Sequence, residues 1–398
     1  MTTGAARRPA PAPPPDPPQR AASLAPWQLA VSSSLMIAMM SVVGATAPDL
    51  RAYLGVSTSA LTLAFIGQMA GAFAGAVIIA RARHRLLELS PLALLAAAAV
   101  GAAALAPSLP FLVAAMLVAG AGGMGVNATA QAETMRRAGP RRARALSQYH
   151  TWGGAGSVVF PLAVAGLLAA GAPWQSAFVL IVVAYVAHAW VNRHLRVVHA
   201  QRDTGSARPP IGPRARWAVV VAVVAGGIQL TFPLYFSSLA VDHFGASAAT
   251  GSAVIGVYAL GILIARAGGT AIMPRLPVDR QLRAGCAVML AGYVLLAVAG
   301  GLLLLVVAAF LLGLGIGQLL PLGMARSARE IGDDRYSTGI VYTWNSVMQL
   351  ASPALVALLL QAMDLRAALV ATVPLALLIV LAVWRSRPAD PALLAPAR

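Results

Sequence analysis

The hydrophobic pattern of this chain is one of long apolar runs broken by short polar loops. Twelve runs lie near the roughly 20 residues that an α-helix needs to cross a bilayer. They fall at about 27–47, 58–80, 89–106, 110–133, 146–170, 174–195, 217–240, 250–273, 283–300, 302–325, 337–362 and 366–385. The pattern predicts an all-α polytopic membrane protein with twelve transmembrane helices.

The runs also repeat. His150 to Pro161 reads HTWGGAGSVVFP, and 192 residues later Tyr342 to Pro353 reads YTWNSVMQLASP. Both give an aromatic ring, Thr, Trp, eight residues and Pro. At the same offset Gly123 and Gly125 fall on Gly315 and Gly317, and Arg137 falls on Arg329. Nearer the start of each half, Leu54-Gly55-Val56-Ser57 matches Phe244-Gly245-Ala246-Ser247, and Arg85-Leu86 matches Arg275-Leu276, both at an offset of 190. A parallel repeat in an apolar chain predicts two pseudo-symmetric six-helix bundles, 27–195 and 217–385. Between them, 196–216 is an Arg- and Pro-bearing linker. Residues 1–26, with seven prolines between Pro9 and Pro18, read as a disordered tail, and 386–398 as a second tail.

Composition agrees with a membrane protein: 59% hydrophobic residues, 10% charged, mean hydropathy +0.78, against about 25% charged in soluble domains. The net charge of +17 does not read as a nucleic-acid surface. All 29 basic residues are Arg, and 27 of them lie in the tails, alternate loops and adjoining helix ends; only Arg51 and Arg366 lie on the other face. The positive-inside rule then places both termini in the cytoplasm of a multi-pass plasma (inner) membrane protein. A single cysteine, Cys286, leaves no intrachain disulfide and no Cys-based metal site.

Twelve helices, a six-plus-six repeat and a basic central loop resemble the major facilitator superfamily. The loop after the second segment carries the basic cluster of that family's signature, Arg81, Arg83 and Arg85, behind Gly75, with Ala80 where the family usually has Asp. The tenth segment holds the glycine ladder Gly313, Gly315, Gly317 and then Pro321. Segments five and eleven, with Pro161 and Pro353, are similar to the family's gating helices. The drug–proton antiporter pattern is not matched: Met39 stands where those members carry Asp, the fourth segment lacks their Arg, and Phe160 precedes Pro161. The resemblance implies a carrier of small solutes that rocks two halves around a central site, with protons as a candidate co-substrate.

The acidic residues of the runs lie at their ends, Asp49, Asp242 and Asp364 at one face and Glu133, Glu330, Asp333 and Asp334 at the other. No nucleophile elbow, phosphate loop or metal spacing occurs, so neither an enzyme nor a bound cofactor is expected. Neutral polar side chains supply the candidate pocket. Asn127 and Gln131 share a helix face, as do Asn345 and Gln349 beside Trp344. Gln68, Gln229 and Gln318 add amides; Tyr235, Tyr258 and Trp152 add amphipathic rings. Each amide reads equally as pocket or as interhelical glue. Candidate charge carriers are Asp49, His150 and Arg266. His150 reads as a hydrogen-bonded rim histidine or a proton site. Arg266, about sixteen residues into the eighth segment, reads as snorkelling or as an anchor for an anion.

The expectation is a monomeric transporter of a small neutral or amphipathic organic solute in the lipid bilayer, with export favoured. Sugar or nutrient uptake is the alternative, and a non-transporting sensor or scaffold is the reading from another class.

Overall fold

The computed structural model describes residues 26–81, 86–138, 142–198, 210–272 and 276–387. The chain order is α1 (Pro26–Ala45), α2 (Ala47–Leu54), α3 (Thr58–Arg81), β1 (Leu86–Glu88), α4 (Leu89–Ala104), α5 (Leu109–Ala138), α6 (Arg142–Ala169), α7 (Gln175–Val191) and β2 (Arg196–Val198). The second half continues with α8 (Pro213–Phe244), α9 (Ala248–Ile272), α10 (Val278–Val298), α11 (Leu302–Ile316), α12 (Leu319–Ile331), α13 (Asp334–Leu359), α14 (Leu365–Val370) and α15 (Val373–Arg385).

Nine helical stretches among the described residues are long and apolar enough to cross a membrane. Helices α4 and α7 are apolar but shorter, and α13 carries more polar residues.

Several details depart from the sequence expectation. Run 27–47 divides at Thr46 into α1 and α2, with Pro48 in the first turn of α2, a place where its missing N–H costs nothing. Run 302–325 divides at Gly317–Gln318, just before Pro321, and α12 then carries on to Ile331. The all-α expectation misses a short antiparallel pair, β1 with β2, in the register Leu86↔Val198, Leu87↔Val197 and Glu88↔Arg196. Within the expected linker 196–216, the first residues belong to β2 and Pro213 already opens α8. The tail 1–25, residues 199–209 and 388–398 lie outside the described residues.

The matched Leu-Gly-Val-Ser and Phe-Gly-Ala-Ser stretches are one and the same turn. Gly55 and Gly245, both at φ 64°, end α2 and α8 in the left-handed conformation, which glycine adopts without a Cβ penalty. Two residues on, the Ser57 hydroxyl accepts from Ala60 N at 3.1 Å and the Ser247 hydroxyl from Thr250 N at 3.2 Å. Each serine thereby caps the next helix.

Small residues set the packing. Gly67, Gly71 and Gly75 of α3 lie against the backbone of Val113, Leu117 and Ala121 in α5, and Gly120 of α5 lies against Gln68. In the second half Gly261 meets Phe310 and Leu314, while Gly313 meets Tyr258 and Gly315 meets Met289, again backbone to backbone. Without a hydrophobic drive between helices in lipid, such close approach supplies the dispersion contacts that hold them. Between the halves, α1 packs on α8, α3 on α13 and α6 on α9.

Candidate functional site

Two prolines prepare the site. Pro233 lies inside α8 and has no N–H, which frees the Gln229 carbonyl four residues back. The Tyr258 hydroxyl of α9 donates to that carbonyl at 2.9 Å. Pro321, in the first turn of α12, frees the Gly317 carbonyl in the same way. Arg266 Nε donates to it at 3.4 Å, and Arg266 Nη2 donates to Gln229 Oε1 at 3.3 Å. The guanidinium thus joins α9 to the interrupted stretches of two other helices.

Across from it, the repeated motif meets itself. His150 of α6 and Tyr342 of α13, 192 residues apart in equivalent positions, lie with Nε2 and hydroxyl at 3.3 Å. Gln131 of α5 lies near the Tyr342 hydroxyl. His150, Tyr342 and Tyr258 are all close enough to feel the charge of Arg266. Of the sequence candidates, Gln131, His150, Gln229, Tyr258 and Arg266 therefore converge, with Tyr342 as the added member. Asn345 and Gln349 stand three and seven residues beyond Tyr342, on the same side of α13. Asn345 is buried against Gly226.

The other candidates lie apart or are engaged elsewhere. Gln68 Nε2 donates to the Met39 carbonyl at 2.8 Å, and Asn127 Oδ1 accepts from the Tyr149 hydroxyl at 2.7 Å. Gln318 donates to the Ala265 carbonyl and packs on Gly269. Trp152 is 55% exposed on the face that also carries Val159, one heptad on. Trp344 is 58% exposed and heads a stripe with Val347, Leu355 and Leu358. Asp49 sits in the first turn of α2, away from the cluster, and burial pushes its carboxyl above the ordinary range. Arg81 is exposed at the end of α3, while Arg83 and Arg85 lie outside the described residues. Among the described residues no group of three or more His, Cys, Asp or Glu side chains is placed to hold a metal.

Sequence reasoning missed the ties between the halves. Arg51 Nη2 meets both carboxylate oxygens of Asp242 at 2.7 Å, and Arg51 Nη1 donates to Thr58 Oγ1 at 2.7 Å. Ser252 donates to the Pro161 carbonyl at 2.8 Å. Thr62, 190 residues before Ser252, reaches the matching Pro353 carbonyl through the Tyr235 hydroxyl, at 2.9 Å on each side. That pair was legible at the repeat offset, but its partners were not. At the other end Asp279 of α10 pairs with Arg326 of α12 at 2.6 Å, both buried, while Glu133, 1% exposed, pairs with Arg136 and Arg137 at 2.6 Å.

A comparison with curated proteins gave no match. Solved structures do match in fold. A bacterial homolog of the human lysosomal transporter Spinster, inward-facing and occupied, is 14% identical, with a TM-score of 0.68 over 93% of this chain and 97% of that one. The same homolog, inward-facing and unoccupied, is 16% identical, with a TM-score of 0.65 over 92% and 98%. A peptide transporter POT mutant is 13% identical, with a TM-score of 0.68 over 90% and 93%. A sequence model of the Major Facilitator Superfamily matches residues 29–339. With most of its length inside that match, the chain belongs to the Major Facilitator Superfamily and is a membrane transporter rather than an enzyme.

Proposed function

We propose that this protein is a secondary transporter of a small amphipathic organic solute, working by alternating access around the His150–Tyr342–Arg266 cluster. The carrying observation is that cluster itself: equivalent residues of the repeat, one from each half, meet beside Arg266, which is bonded to Gln229 and Gly317 of the second half. In this reading all twelve apolar runs span the bilayer as two six-helix bundles, 27–195 and 217–385. The Arg distribution sets both termini on the cytoplasmic side of the plasma membrane. The Arg51–Asp242, Ser252–Pro161 and Thr62–Tyr235–Pro353 ties then lie at the outer end, and the protein is closed to the outside.

Export is the proposed direction. Gln68, Asn127 and Gln318 are committed to protein partners. That leaves fewer amides for a polyhydroxylated nutrient than the sequence suggested, and favours a solute with one polar end.

The test is counterflow of labelled solutes in proteoliposomes, with and without a pH gradient. Saturable exchange of an amphipathic solute is the expected result, and a change with the gradient would identify protons as the co-substrate. Absence of saturable flux, together with a fixed pattern of cysteine labelling from the two sides, would return the protein to the sensor or scaffold reading.

A further inference from the structure

We propose that Arg266 anchors a carboxylate on the transported solute, so that the substrate class is an amphipathic organic anion. This rests on the carrier reading above and deepens it.

Three observations carry the inference. The first is direction. Arg266 is six residues from the end of α9 at Ile272, and a snorkelling side chain would run toward that end. Side chains on a helix tilt toward its N-terminus. The guanidinium follows that tilt and reaches Gln229, sixteen residues into α8. The second is unused donor capacity. A guanidinium carries five N–H donors. Among the described residues it makes two hydrogen bonds, at 3.4 and 3.3 Å, both longer than the usual 2.9–3.0 Å.

The third is charge. Among the described residues no carboxylate pairs with Arg266. Glu133 is held by Arg136 and Arg137, Asp242 by Arg51, and Asp279 by Arg326, and Asp364 caps α14. The groups around the cation include no carboxylate: His150 and Tyr342 near it on α6 and α13, Tyr258 on its own helix, Gln229 on α8. A cation without a counter-ion within a membrane-spanning bundle is costly and marks a functional position. Gln131 and the Tyr342 hydroxyl provide further hydrogen-bonding groups beside it. A carboxylate matches the planar donor fork of arginine, whereas a neutral polar group uses only part of it.

The experiment compares acids with their neutral twins on the full-length purified protein. Benzoate, phenylacetate and hexanoate are each paired with the primary amide, and binding is read as a rise in melting midpoint with concentration. The acids are expected to bind about 10- to 100-fold more tightly than the amides. Arg266→Gln should abolish that difference. Arg266→Lys, which keeps the charge but not the fork, should retain a weakened preference for the acids and guards against loss of fold in the glutamine variant. Amides that match the acids, an acid preference that survives Arg266→Gln, or silence of every acid on the wild-type protein would overturn the proposal. Flux separates it from the carrier reading. Saturable counterflow of an amide but not its acid removes the anion site alone. Arg266-dependent acid binding without flux removes the carrier reading and leaves the anion site standing.

Discussion

Pro233 and Pro321 look, in sequence, like breaks in apolar runs; in the folded chain each creates an acceptor. Tyr258 and Arg266 take the two carbonyls they free. Pro321→Ala restores an N–H that competes for the Gly317 carbonyl. The variant should melt at or above the wild-type midpoint yet lose transport several-fold, read as flux per folded protein. Equal flux would show that the Arg266–Gly317 bond is incidental. Asp49 gives a pH prediction. Its carboxyl is held above the ordinary range by burial, so its contribution is full below the unfolded pKa and is lost as pH rises through the raised value. Asp49→Asn should therefore match wild type in melting at low pH and exceed it near pH 7. A lower midpoint for the variant at pH 7 would mean that the charged carboxylate is favourably placed.

At the scale of elements, glycine seams hold neighbouring helices at distances a side chain forbids. A Cβ at Gly120 would run into the Gln68 carbonyl. Gly120→Val should cost about 1–3 kcal/mol of overpacking or more, seen as a lower melting midpoint and a reduced monodisperse yield; an unchanged midpoint would mean that the α3–α5 seam is loose. The seam was legible as Gly67, Gly71 and Gly75, because the spacing puts them on one face of α3. The β1–β2 pair was not legible. Three-residue strands carry too short a pattern, and their partners are about 110 residues apart.

For the whole molecule, the Arg51–Asp242 pair is the testable latch. Its side chains are 19% and 40% exposed, and partly exposed pairs contribute up to about 1 kcal/mol. That is enough to shift a balance between two conformations by about fivefold. Asp242→Asn should raise labelling of a cysteine placed at Ser34 from the outer side, in a Cys286→Ala background. The exchanged pair, Arg51→Asp with Asp242→Arg, should bring labelling back toward wild type. Labelling that ignores both changes would remove the latch.

Much of the fold was present in the chain itself. Run length and the 190–192 residue repeat are local or periodic quantities, and lipid makes run length strict because every backbone polar group must be satisfied within a helix. The site was only half legible. Gln68 and Gln229 are the same residue type in the same kind of run, yet one is bonded to Met39 and the other faces Arg266. Trp152 and Trp344 mark the repeat but stand on exposed faces, while His150 and Tyr342, two residues before them, meet each other. Which face of a helix turns inward, and which amide finds a partner, depends on neighbours distant in sequence. Only the packing of α5, α6, α8, α9 and α13 around one another decided it.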